Sequence, residues 1–306
     1  MIKIGDIIIS NLFIGSTQVS KVYLGDVKVW PIPTPIPTET NYVTFTAQQD
    51  NSSIGLNRLS TNQTLEYSKD AVTWNTFNTS TNISLNNGDK VYVRGKLSTD
   101  NTNSNFTQFK MSGKIAASGN TNSLWDYENP DTQLKKLCGR MLFSDCTSLT
   151  SAPELPATTL SDYCYSDMFR LCSSLTAAPE LPATMLASSC YISMFYGCTS
   201  LKTAPALPAT TLANRCYQGM FENCTNLTTA PELPATTLAE WCYSYMFSSC
   251  TSLNYIKCLA TDISATNCTY NWVYGVPSNG TFVKASSAYW PTGNNGIPSG
   301  WTTQDA

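Results

Sequence analysis

The sequence predicts a mainly β protein with short helices: a small β N-terminal head, a β-sandwich, and a solenoid of 26-residue units closed by a C-terminal cap. Three observations predict it. Two ladders of cysteines run at a spacing of 26, Cys138, Cys164, Cys190, Cys216, Cys242 and Cys268, and Cys146, Cys172, Cys198, Cys224 and Cys250, leaving only Cys258 over. Before the ladders begin, apolar and polar residues alternate with a period of two, the period of a half-buried strand. Polarity comes from Ser, Thr and Asn rather than from charge: charged residues are 13% of the chain against 42% hydrophobic. That balance suits strands, turns and repeats better than long solvated helices.

Residues 1–30 form the predicted head. Phe13-Ile14-Gly15-Ser16-Thr17-Gln18-Val19 returns ten residues on as Tyr23-Leu24-Gly25-Asp26-Val27-Lys28-Val29, and alternation with Gly at the turns reads as β-hairpins. The opening MIKIGDIIISNLFIG carries Asp6 and Asn11 within its apolar stretch, which reads as mature protein rather than a signal peptide. So small a segment lacks a core of its own. It is followed at 31–39 by a proline-rich linker, PIPTPIPT, which favours an extended spacer. The pair reads as an attachment piece, with Phe13, Ile14, Tyr23, Leu24, Val29 and Trp30 as its contact residues; packing back on its own chain is the alternative.

Residues 40–125 are expected to be the sandwich, with strands at YVTFTA, LEYSKD, VTWNTF, NISL and KVYVRG between Asn, Asp, Ser and Gly turns. Residues 126–270 hold the repeats. Each unit opens on a short Ser/Thr-rich strand such as Cys146 to Pro153, expected to pair in parallel with its neighbours and to end at Pro153 and Pro156. Thr158, Thr184, Thr210 and Thr236 then stand as N-caps. The second half, Leu160 to Cys172, has helical spacing: Leu160, Cys164, Tyr165, Met168, Phe169 and Cys172 share one half-circle, and Asp162, Tyr163, Ser166, Asp167 and Arg170 the other. No such unit buries its apolar face alone; stacking does it. Residues 271–306 supply the cap, with a strand at GTFVKA and a loop at PTGNNGIPSGW.

The leucines in register, the Leu155-Pro156 and Leu181-Pro182 steps, the Met168-Phe169 and Met194-Phe195 pairs and the closing Cys172 and Cys198 resemble the leucine-rich repeats of the BspA-like, or Treponema, type. The usual unit of that family is a few residues shorter. The resemblance covers about 45% of the chain and implies a ligand-binding leucine-rich-repeat solenoid at a bacterial surface, with no chemistry. The whole arrangement is similar to repeat proteins of gut Bacteroidales and their phages, in which a head like Tyr23-Leu24-Gly25 to Val29-Trp30 precedes a β-domain and Cys-Tyr…Met-Phe repeats. This similarity implies a virion appendage of tail-fibre or receptor-binding type. A bacterial cell-surface adhesin and a purely structural virion decoration protein are the alternatives.

The chain has no histidine, which removes Ser-His and Cys-His nucleophile pairs and His-bound metals. Its acidic residues form no paired motif, so no enzyme, cofactor or metal is expected. The in-unit spacing from Cys164 to Cys172 is unlike the close pairs of zinc sites. Disulfides across neighbouring units compete with the preferred reading, buried free thiols packed as small hydrophobes. Cys258 aligns with the exposed-looking column Glu154, Glu180, Ala206 and Glu232, which makes it either a reactive thiol or part of the cap. That Glu column reads as a solvated acidic face or a cation site. The column Tyr165, Tyr191, Tyr217 and Tyr243 reads as core with each hydroxyl reaching a partner, or as a sugar-binding stripe. Net charge is −3 with no basic run, so no nucleic-acid partner is expected. No apolar stretch is long enough to insert in a membrane.

Comparison of the units with one another picks out the candidate ligand site. Most positions are copied almost letter for letter, while the outer arc of the second half varies. Among the varied residues are Tyr163, Arg170, Tyr196, Arg215, Trp241 and Tyr245. Tyr, Trp and Arg are the types enriched at binding hot spots. Drift at exposed positions competes with a diversified recognition surface on a convex face. The expected partners are a host cell-surface protein or glycan at this face, and another virion protein or a second copy at residues 1–30.

Overall fold

The computed structural model describes residues 42–97, 105–128 and 134–306, together with the backbone of short strands within 3–30. The protein is mainly β, in several sheets, with almost no helix. The linker at 31–39 lies outside the described residues, as do the side chains of Phe13, Ile14, Tyr23, Leu24, Val29 and Trp30.

The head contains antiparallel hairpins. β1 (Lys3–Ile4) pairs with β2 (Ile7–Ile8), β3 (Phe13–Ile14) with β4 (Thr17–Gln18), and β5 (Val22–Leu24) with β6 (Val27–Trp30). The ten-residue unit therefore occurs a third time, at Ile4-Gly5-Asp6-Ile7, ahead of the two copies legible at 13–19 and 23–29.

Two sheets build the next layer. One has the order β10 (Asn75–Thr76), β9 (Thr64–Ser68), β12 (Lys90–Lys96), β7 (Val43–Ala47), β14 (Ile115–Ser118), β15 (Leu149–Ser151); the other has β11 (Asn82–Leu85), β8 (Ser52–Arg58), β13 (Gln108–Ser112). Their inner residues meet in one core, with Phe45 of β7 lying 5.3 Å from Phe109 of β13. The expected strands at YVTFTA, LEYSKD, NISL and KVYVRG are present; VTWNTF keeps only β10. There the Asp70 carboxylate accepts the N–H groups of Val72 and Thr73 at 2.9 and 2.7 Å and closes a turn. Those bonds hold its pKa well below the usual carboxylate range. β8 escapes the sequence reading because Gly55 interrupts its alternation. A Cβ at Gly55 would come within 2.9 Å of the Thr81 carbonyl oxygen, a backbone atom that cannot swing aside. Among the described residues the only α-helix is α1 (Asn122–Trp125).

In the repeats, the second half of each unit corrects the expectation of a helix. Cys164, Ser166, Met168, Arg170 and Cys172 each donate their N–H to the carbonyl three residues back, at 3.1–3.2 Å. The residues between them donate elsewhere. Tyr163, Asp167, Phe169 and Leu171 reach the carbonyls of Ser188, Ile192, Met194 and Tyr196 in the next unit, at 2.7–3.0 Å. The segment is thus a ribbon of reverse turns stitched to its neighbour, and no N–H remains for the four-residue ladder of a helix. The buried residues fall where expected, at Leu160, Cys164, Tyr165, Met168, Phe169 and Cys172. Their spacing repeats every four residues, and over so short a run four and 3.6 select the same side chains. Thr158 accordingly caps no helix: its carbonyl accepts the N–H groups of Thr184 and Met185.

φ is positive at the same three places in each unit. Leu137, Tyr163, Ser189, Arg215, Trp241 and Asn267 form one left-handed column. Met141, Asp167, Ser193, Gly219, Tyr245 and Asn271 form the second, and Asp145, Leu171, Gly197, Asn223, Ser249 and Gly275 the third. These are third positions of turns, where a type II geometry favours Gly or Asn.

The first half of each unit pairs in parallel, as expected, though mostly through single bridges: Ala177 with Thr203, Thr203 with Thr229, Thr229 with Tyr255. Pro179, Pro205 and Pro231 follow at once and cannot donate to a longer ladder. In the last unit Lys257 replaces the proline, and a full strand forms, β16 (Tyr255–Cys258). It pairs in parallel with β17 (Thr281–Lys284), which pairs with β18 (Thr302–Asp305). β17 is the expected GTFVKA strand, whereas β18 follows the loop as a further strand that the sequence pattern does not signal.

The interior is a set of columns. Phe109, Phe143, Phe169, Phe195, Phe221 and Phe247 stack with centroids 5.2–5.8 Å apart. Tyr165, Tyr191, Tyr217 and Tyr243 stack at 5.8–6.1 Å, between Trp125 and Trp272. Each aromatic pair adds about 1 kcal/mol beyond area burial. The Tyr column is core, and the hydroxyl of Tyr217 is buried without a partner, contrary to expectation. The cysteines are free and buried. Cys172, Cys198, Cys224 and Cys250 donate Sγ–H to the carbonyls of Phe143, Phe169, Phe195 and Phe221 at 3.0–3.1 Å.

Of the two readings of Cys258, the exposed reactive thiol is overturned. The residue is fully buried, and burial pushes its thiol up to about 12. The cause is register: Leu233, not Glu232, bridges to Cys258, 25 residues on. A one-residue slip moves a side chain to the opposite face. The spacing returns to 26 between Cys242 and Cys268.

Candidate binding surface

The turn ribbons make one face of the stack, and the six residues singled out from the sequence lie on it. Tyr163 and Arg215 are exposed; Arg170, Tyr196, Trp241 and Tyr245 are half-buried. The outer arc is not uniformly exposed, however. Ser166, Ser189, Ser244 and Ser248, which the sequence reading places on it, are buried. In a turn ribbon alternate residues point along the stack, under the next unit. Thus Ser244 Oγ donates to the Tyr270 carbonyl of the next unit at 3.3 Å, while Ser166 Oγ donates to the adjacent Asp167 carboxylate at 2.8 Å.

The structure brings five of the six residues into contacts across units. The Arg170 guanidinium lies 4.2 Å from the Tyr196 ring centroid. Arg215 lies 5.1 Å from that of Trp241. Trp241 and Tyr245 both meet Tyr270 edge-on, at 6.0 Å and 61° and at 5.4 Å and 79°. Tyr163 stands apart, with the Lys136 ammonium 6.0 Å from its ring. Two groups result, Arg170–Tyr196 and Arg215–Trp241–Tyr270–Tyr245. Tyr270 was missed because its unit has lost the Met-Phe signature. Counting 26 from Ser244 finds it.

The two groups differ electrostatically. Burial raises the pKa of Asp167, while Arg140 and Arg170 oppose the rise. Burial likewise raises Glu222, and Arg170 opposes it. Arg170 therefore lies near two carboxylates, although among the described residues neither forms an ion pair with it. Arg215 reaches Gln218 Oε1 at 3.4 Å, and among the described residues no carboxylate forms an ion pair with it.

A second surface lies along the proline steps. Pro153, Glu154, Pro156, Pro179, Glu180 and Pro182 line an open cleft of about 530 Å³. Ala206, Leu207, Pro208, Glu232 and Pro234 line another of about 280 Å³. Glu154, Glu180, Ala206 and Glu232 are exposed there, and Glu232 pairs with Lys257 at 3.1 Å. Among the described residues no group of three or more Cys, Asp or Glu is placed to hold a metal ion, and no helix is long and apolar enough to cross a membrane. What the turn face offers is contact chemistry: ring faces, phenol hydroxyls and a guanidinium. No protein-family model, curated protein or solved structure matches the chain.

Proposed function

We propose that the chain is a non-enzymatic component of a phage virion appendage, of tail-fibre or receptor-binding type. In this reading its stacked units are leucine-rich repeats of the BspA-like kind, and their turn face recognises a host cell-surface protein or glycan. The hairpin head at 1–30 attaches the chain to another virion protein or to a second copy. One observation carries the recognition role. The varied positions of otherwise near-identical units hold Tyr, Trp and Arg, and these side chains meet in cross-unit groups on one face.

The test is the binding of labelled full-length chain to intact gut Bacteroidales cells across a strain panel, beside a Tyr196/Trp241/Tyr245→Ser variant. Strain-selective binding that the variant loses is the expected result. Absence of binding to every strain would replace this reading with that of a structural decoration protein. Equal binding by the variant would remove the site from the turn face.

A further inference from the structure

The Arg215–Trp241–Tyr245–Tyr270 group has two properties that the rest of the turn face lacks together. The first is backbone placement. Arg215, Trp241 and Tyr245 have φ of 57°, 57° and 56°. A large side chain in left-handed backbone is unfavourable for any residue with a Cβ. The flanking units place Ser189 and Asn267 in the column of Arg215 and Trp241, and Gly219 and Asn271 on either side of Tyr245. Left-handed residues with large side chains persist where the surrounding structure over-determines them, and they cluster at ligand sites. The second is uncompensated charge beside ring faces. Arg215 has no carboxylate ion-pair partner among the described residues; Glu240, though next to Trp241 in sequence, is not one. Its planar fork matches a carboxylate or sulfate group. Trp241 and Tyr245 both meet Tyr270 edge-on, so the rings stand as walls at steep angles rather than as one flat stack. Such walls accept the C–H faces of a sugar ring, and the phenol hydroxyls its polar rim.

We infer that this group is a binding site for an anionic polysaccharide: Trp241, Tyr245 and Tyr270 hold the sugar rings and Arg215 its carboxylate or sulfate. The inference rests on the recognition reading above and adds the ligand class, the anchoring cation and Tyr270.

Calorimetric titration of the full-length chain with polygalacturonate oligomers, dextran sulfate oligomers and neutral dextran tests it. The first two arms distinguish carboxylate from sulfate. Binding to at least one acidic polymer, about tenfold or more tighter than to dextran, is expected of a charge-assisted site. Trp241→Asn copies Asn267 and Tyr245→Gly copies Gly219, so both variants should keep or raise the thermal midpoint while losing about tenfold or more in affinity, as hot-spot truncations do. Arg215→Gln should abolish the preference for acidic over neutral polymer. Cell binding without preference for either acidic polymer overturns this inference and leaves the recognition reading standing. Binding to neither cells nor polymer overturns both. Unchanged polymer affinity in Trp241→Asn places the ligand elsewhere and overturns the assignment of the site.

Discussion

At the scale of single residues, left-handed backbone and buried thiols dominate. Each unit needs φ > 0 at three places, yet only some are filled by Gly or Asn. Gly275 isolates the backbone contribution, because a Cβ there would meet nothing nearer than 3.6 Å. Gly275→Ala should therefore lower stability by about 1 kcal/mol through backbone alone. Urea denaturation measures this, and an unchanged midpoint would show that the turn relaxes at no cost. The thiols make a second prediction. Burial pushes Cys190, Cys198, Cys242, Cys250 and Cys258 up to about 12. An unfolded thiol titrates near ~8.5. Between these values the folded state holds protons that the unfolded state has lost, so stability is full below pH ~8.5 and falls as pH rises toward the folded values. Thermal midpoints should decline from pH 8.5 upward, and less steeply in a Cys198→Ala/Cys250→Ala variant. At neutral pH a thiol reagent should label the native chain slowly, Cys258 included, and label it fast in denaturant. Rapid native labelling of Cys258 would contradict its burial.

At the scale of elements, the side chains that face inward were legible and the backbone that carries them was not. Leu160, Cys164, Tyr165, Met168, Phe169 and Cys172 are all buried, as their spacing implies. A spacing of one, three, one and three residues satisfies a helix and a four-residue turn repeat alike. The discriminating signal lay elsewhere, in the Gly, Asn, Asp and Ser that recur in the third left-handed column at Asp145, Gly197, Asn223, Ser249 and Gly275. Far-ultraviolet circular dichroism should accordingly lack the α-helical double minimum; a strong one would restore the helical reading. The prolines set the other half of the unit. Parallel bridges stay single where Pro179, Pro205 and Pro231 interrupt them and lengthen to β16 where Lys257 does not. Within the stack, Phe195→Ala removes a ring that touches Phe169 and Phe221. It should cost about 3–5 kcal/mol, measurable by the same denaturation.

At the scale of the molecule, one hydrophobic core runs from Val43 to Trp301. The sheets of residues 43–118 are continuous with the repeats: β14 pairs in parallel with β15, and Phe109 stacks on Phe143 at 5.2 Å and 11°. Phe109 thus occupies the place of a preceding unit's phenylalanine, although 34 residues rather than 26 separate it from Phe143. That substitution of a strand for a unit left no periodic trace to read. Because neighbouring units interact mainly with each other, deleting residues 173–198 should join Cys172 to Thr199 in register and leave a folded, less stable chain. Deleting 173–197 leaves one residue over at the junction and should destabilise the chain further than the 26-residue deletion does, because a one-residue slip there turns side chains to the opposite face. The candidate site was legible in its six varied residues, whereas Tyr270, which joins Trp241 to Tyr245, sits in a unit whose signature has decayed.

The proposed recognition role places binding on the turn face and not in the proline clefts. Cell binding by two variants measured side by side tests it most directly: Tyr196/Trp241/Tyr245→Ser on the turn face, and Glu154/Glu180/Glu232→Gln along the clefts. The first should lose binding while the second keeps it, with both variants folded by circular dichroism. Retention of binding by the first and its loss by the second would contradict it.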